Sequence, residues 1–156
     1  MKRYRRLAVF LWAAPCSAIG AALGGITLLA GGKARVSSGA LEFCFRPNLA
    51  SCGLRARNVP FRGIVFGHVI LAVTREELQA IGPHERVHVA QYERWGPLFF
   101  LAYGVSSFWQ LANGRDPYWN NHFEVQARAL SMTTPSPAVA PDPSVGLADP
   151  KQASPT

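Results

Sequence analysis

The sequence predicts an α+β domain behind an N-terminal membrane helix, on three observations. Residues 41 to 46 and 61 to 73 read as strands, Pro83 to Trp95 runs without a helix breaker, and Leu7 to Gly32 carries no charge. Strands that precede a block of helices, rather than alternating with them, suit a short antiparallel or mixed sheet. Two further helices follow the breaker-free one. A single modest core is all that such a domain needs.

The chain opens on a basic flank, residues 1–6, with Lys2, Arg3, Arg5 and Arg6. Residues 7–32 then exceed the ~20 apolar residues that cross a bilayer as a helix. A cleavable signal peptide has an apolar core of only ~7–15 residues, so the length favours an uncleaved anchor. Cleavage near Ala30 or Ala34, with secretion, is the alternative. The positive-inside rule keeps the N-terminus in the cytoplasm and puts the domain on the extracytoplasmic side. Membrane lipids are therefore one expected partner.

The domain itself occupies residues 38–132. The run of Ile64, Val65, Phe66, Val69, Ile70 and Leu71 is continuous, as in a strand buried on both faces. Cys44 and Cys52 flank a turn-rich stretch, which fits either a disulfide-closed hairpin or two thiols on neighbouring strands. Thr74-Arg75-Glu76-Glu77 is a capping box that opens a short helix. Gly82-Pro83 then reads as the N-cap and first position of the next helix, and Gly96-Pro97 as its stop.

That helix carries His84-Glu85-Arg86-Val87-His88, which is H-E-x-x-H. Residues four apart share a helix face, so His84 and His88 can present two imidazoles to one Zn2+. Glu85 stands beside them as the general base for a water that zinc acidifies towards ~7. A third ligand is needed, and Glu124 is the best candidate. It sits next to an apolar stripe of Phe123, Ala127 and Leu130, where a carboxylate requires a positive partner. Asp116 or Asn120/Asn121 can cap that helix. Zinc bonds of ~2.0–2.2 Å would set the ligand atoms roughly 3–3.5 Å apart. Leu98 to Ala112, apolar but too short to span, must turn back within the domain for Glu124 to reach the histidines. It reads as a buried helix beneath the site, resting on the membrane surface through Phe99, Phe100, Phe108 and Trp109.

With these residues in view, the chain resembles the gluzincin metallopeptidases, and most of all their minimal, short bacterial members. Gly67-His68-Val69-Ile70-Leu71, the stretch from His84 to Pro97, and Tyr118-Trp119-Asn120-Asn121-His122-Phe123-Glu124 carry the likeness, which spans residues 38 to 131. It implies a zincin-like domain with His84, His88 and Glu124 as ligands and Glu85 as base. It also implies a peptide or protein substrate lying along a sheet edge within Ile64 to Val73. Many gluzincins carry an aspartate four residues after the ligand glutamate, where this chain has Arg128. Support for a ligand histidine must then come from elsewhere. For the oxyanion, His122, Tyr118, Tyr92 and His68 are all candidates.

The competing class is a non-catalytic membrane protein that keeps such a fold as a structural or binding module. Nucleic acid is excluded as a partner despite the net charge of +7, because the basic residues form no stripe. Residues 133–156 are proline-rich and aperiodic, the composition of a disordered tail.

Overall fold

The computed structural model describes residues 2–46 and 62–133; the proline-rich tail and a Cys44–Cys52 pairing lie outside the described residues. Helix α1 (Lys2–Leu29) leads into strands β1 (Lys33–Ser37), β2 (Ala40–Arg46), β3 (Gly63–Phe66) and β4 (Val69–Thr74). Helices α2 (Arg75–Trp95), α3 (Leu98–Ala112) and α4 (His122–Thr133) follow. The sheet is mixed, in the order β1-β2-β4-β3, with β2 and β4 parallel and both outer pairs antiparallel. The α+β class is as expected.

Two strands differ from the sequence reading. β1 has no apolar pattern, and its side chains are almost all exposed. A two-residue turn specifies it instead, with Ser38 at φ 50° and Gly39 at φ 82°, the twist that suits a right-handed hairpin. The apolar run expected as one strand is a hairpin, folded at Gly67-His68. Gly67 has φ 60°, and a Cβ there would sit 2.7 Å from the backbone nitrogen of Ser17. Only glycine allows that turn to close against α1.

β4 is buried on both faces, which accounts for its unbroken apolar sequence. Val69 and Leu71 cluster with Phe43, and a Cβ on Gly24 or Gly20 of α1 would collide with Phe43 or Val69. Ile70 and Ala72 face the other way, into a core with Leu78, Tyr92, Phe99 and Phe123. The stripe Ala13, Cys16, Gly20, Gly24, Thr27 thus seals α1 to the sheet. The expected boundary between residues 7–32 and 38–132 is not a boundary of packing. The other face of α1 is exposed and apolar, and Tyr4–Leu29, 26 residues of mean hydropathy 1.8, is long and apolar enough to cross a membrane.

α2 is one helix where two were expected. Thr74 caps it, accepting from the Glu77 amide at 3.1 Å, as the capping box predicts. Pro83 lies inside the helix and Gly82 is not a cap. Leu78, Gly82, Glu85, His88, Gln91 and Tyr92 form one buried face that runs straight through the proline. Burial along that face outweighs the hydrogen bond that Pro83 forfeits. The helix stops at Gly96, whose N–H donates to the Tyr92 carbonyl at 2.7 Å.

Arg86, the first variable position of the motif, clamps α2 to the sheet. It donates to Glu42 Oε1 at 2.9 Å, while Arg35 donates to Oε2 at 2.6 Å, and Glu42 is fully buried between them. α3 is less buried than expected: only Phe99 is inside, and Phe108 and Trp109 are exposed. It does turn back. Asp116 accepts from the amides of Tyr118 and Trp119, and Asn121 accepts from the Phe123 amide at the start of α4. α4 buries Phe123, Glu124 and Ala127; Leu130, expected inside, is exposed.

Candidate metal centre

α2 and α4 bring His84, His88 and Glu124 together, as the sequence predicts. His84 Nε2 lies 3.1 Å from His88 Nε2 and 3.2 Å from Glu124 Oε2, and His88 Nε2 lies 3.3 Å from Glu124 Oε1. The three residues form a group that can hold a metal ion. Those spacings match the roughly 3–3.5 Å between ligands of a tetrahedral ion.

Hydrogen bonding around the triangle fits a bound cation. Gln91 Nε2 donates to the Phe123 carbonyl at 3.1 Å and to Gln126 Oε1 at 2.8 Å, which turns Gln91 Oε1 toward His88 Nδ1, 2.8 Å away. A carbonyl can only accept, so the amide orientation is fixed and His88 Nδ1 must carry hydrogen. Neutral His88 then points a bare lone pair from Nε2 into the triangle. Glu124 Oε2 is buried and accepts no well-aligned hydrogen bond, an orphan that a metal ion would satisfy. Two imidazoles and one carboxylate form a donor set for a borderline divalent ion.

The support that position 128 lacks comes from Gln91 and from Tyr103, whose hydroxyl donates to Glu124 Oε1 at 3.0 Å. Nothing in the sequence pointed to Tyr103, an ordinary member of an apolar helix. Arg128 instead stands over the Trp119 ring, 4.8 Å from its centroid, with its guanidinium 3.9 Å from Glu124 Oε2. Loss of a partner that orients a ligand typically weakens metal binding ~10–100-fold, and Gln91→Leu should fall in that range by competitive metal titration.

The two carboxylates of the site are pushed apart. Burial would raise the pKa of Glu124, but the facing imidazoles of His84 and His88, with Tyr103, hold it far below the usual carboxylate range. Glu85 is raised, chiefly by burial, with the two histidines opposing. Glu124 is thus a permanent anion suited to ligation, and Glu85 a more basic group suited to taking a proton. Glu85 makes no hydrogen bond among the described residues, and its side chain lines a cleft of about 740 Å³.

His88 is raised as well: burial lowers it, and the Glu124 carboxylate more than compensates. In the metal-free protein this raised pKa adds stability below the ordinary value of 6.5 and loses it as pH climbs through the folded value. The depressed Glu124 adds stability above 4.5 that is lost as pH falls through its folded value. Raised Glu85 costs stability on the way up from 4.5, which reinforces the alkaline-side loss. Because the Glu85 cost begins at 4.5, chelated protein should melt highest near pH 4.5, decline above it and fall further above 6.5. Metal displaces the His88 proton, so loaded protein should shift its optimum upward. Thermal melts across pH, with and without chelator, check both.

Of the four oxyanion candidates, Tyr118 alone is half-exposed and lines the cleft, with its hydroxyl beside Glu124. Tyr92 is core, packed 4.4 Å from the Phe99 ring centroid. His68 lies at the β3–β4 turn, 3.2 Å from Glu93 and stacked on Phe10. His122 is exposed outside the cleft. Among the described residues the sheet edge beside the cleft is β3, while β4 is interior.

No family model, curated protein or solved structure matches this chain. The residues themselves must carry the functional argument.

Proposed function

We propose that the chain is a membrane-attached zinc-dependent hydrolase, a metallopeptidase of minimal gluzincin-like design. The observation that carries it is Glu85, a carboxylate with no hydrogen bond among the described residues, on a cleft wall beside His84, His88 and Glu124. A structural metal site has no use for such a base, which sets the non-catalytic alternative aside. Zinc held by those three residues would supply a Lewis acid and make water nucleophilic near neutral pH.

The chain's own residues do the rest. Glu85 takes the proton of the attacking water and returns it to the leaving amine. The Tyr118 hydroxyl, kept protonated by burial and by nearby Glu124, donates to the developing oxyanion. Gln91 fixes the ring of His88 and Tyr103 fixes Glu124, so the ligands need not reorganise. A peptide lies along β3.

Attachment is through α1. Because its packed stripe runs from Ala13 to Thr27, a crossing helix would carry the sheet with it; the outward face meets lipid without that cost. A crossing α1 would put the domain on the extracytoplasmic side, on the charge of the flank, and attachment by the outward face leaves the side open. Purified full-length protein should carry stoichiometric zinc and cleave an unstructured protein substrate, with activity lost on chelation and restored by zinc. Zinc-free protein, or cleavage indifferent to chelator, would sink the reading.

A further inference from the structure

Among the described residues β3 is an edge strand, and its outer side borders the cleft. The Val73 amide donates to the Arg62 carbonyl at 3.3 Å, which sets the phase of the β3–β4 ladder. By the alternation of antiparallel pairs, Ile64 and Phe66 direct their backbone groups to β4, and Gly63 and Val65 direct theirs outward. An open edge of this kind is a template for an added strand. It also lies close to the base, since a Cβ built on Gly63 would stand 3.3 Å from Glu85 Oε1.

The walls beside that edge are apolar and continue onto the outside of the molecule. Phe66 and Phe100 both line the cleft, with ring centroids 5.9 Å apart. Phe66 also touches α1 at Gly20, and Trp12 of α1 covers Gly96 at the start of α3. The cleft wall thus reaches α1, and the N-terminal half of α1 lies beside the turn that leads into α3. Leu11 and Ile26 on one, and Leu101, Val105 and Phe108 on the other, are exposed. Exposed apolar side chains on both helices suit contact with a lipid surface. Arg5 and Arg6, exposed at the start of α1, add the charge that anionic headgroups attract.

We propose that the cleft takes an extended hydrophobic segment of a membrane-resident polypeptide, which enters from the lipid side and pairs with β3. This rests on the hydrolase reading and names its substrate class. A lipid acyl chain fits the same walls less well. It would cover the outward amides of Gly63 and Val65 without pairing them, whereas a peptide backbone satisfies them.

The test uses full-length Glu85→Gln protein in phosphatidylcholine–phosphatidylglycerol vesicles, with p-benzoylphenylalanine replacing Ile64, which is 42% exposed on β3. Three dye-labelled probes are compared: a hydrophobic membrane-inserted peptide of about 20 residues, a polar soluble peptide of equal length, and a phospholipid. Irradiation should label protein with the membrane peptide at least roughly tenfold more than with either other probe. The same crosslinker at Val36, on the opposite edge, should capture none. Equal capture by lipid, equal capture by polar peptide, no capture at position 64, or equal capture at position 36 overturns the proposal. Capture does not need turnover. A parent protein that captures the membrane peptide but cuts nothing therefore fails as a hydrolase alone, and one that cuts only soluble peptides fails this inference alone.

Discussion

Glu85→Gln should keep its zinc and lose its activity. The substitution preserves shape, and Glu85 makes no hydrogen bond among the described residues that the fold would miss. His84, His88 and Glu124 remain in place, with Gln91 and Tyr103 still holding them. What goes is the proton acceptor, whose pKa the native site raises by burial. Removing a general base typically costs ~10²–10⁴-fold, so turnover should fall at least ~10²-fold at unchanged metal content. Metal analysis and a proteolysis assay on the same preparation read both quantities. Full metal with unchanged activity would end the catalytic reading and leave a metal-binding module.

The candidate site was legible in the sequence for a geometric reason. H-E-x-x-H carries its own geometry, because a helix fixes the distance between residues four apart, and Glu124 needed only a carboxylate beside an apolar stripe. The capping box at Thr74 and the stop at Gly96 were equally local. Features that depend on tertiary partners were not. Pro83 breaks helices by propensity, yet the buried face from Leu78 to Tyr92 carries α2 through it. β1 owes its existence to a turn and a neighbour rather than to its own side chains. Tyr103 reads as one more apolar residue until Glu124 is seen 3.0 Å from its hydroxyl. Gly20 and Gly24 of α1 are likewise silent in the sequence, yet they are part of the surface on which the sheet rests.

His88→Ala should lose metal and activity together, the largest effect of any single change here. His88 is buried, its Nε2 faces both other ligands, and its Nδ1 is fixed by Gln91, so no neighbour can take its place. Two remaining ligands do not hold zinc tightly against solvent. Added metal makes the loss measurable without an assay for turnover. At a hundredfold its Kd, a ligand bound only by the native state stabilises it by about 2.7 kcal/mol. Parent protein should therefore melt higher in excess zinc, and His88→Ala should not respond. The control is His68→Ala. His68 is equally buried but belongs to the contact with Ser17, Glu93 and Phe10, away from the cleft, so its removal should loosen α1 and leave the zinc response intact. If the His68 variant loses its zinc response and the His88 variant keeps it, the metal lies at the wrong end of α2 and the site proposed here does not exist.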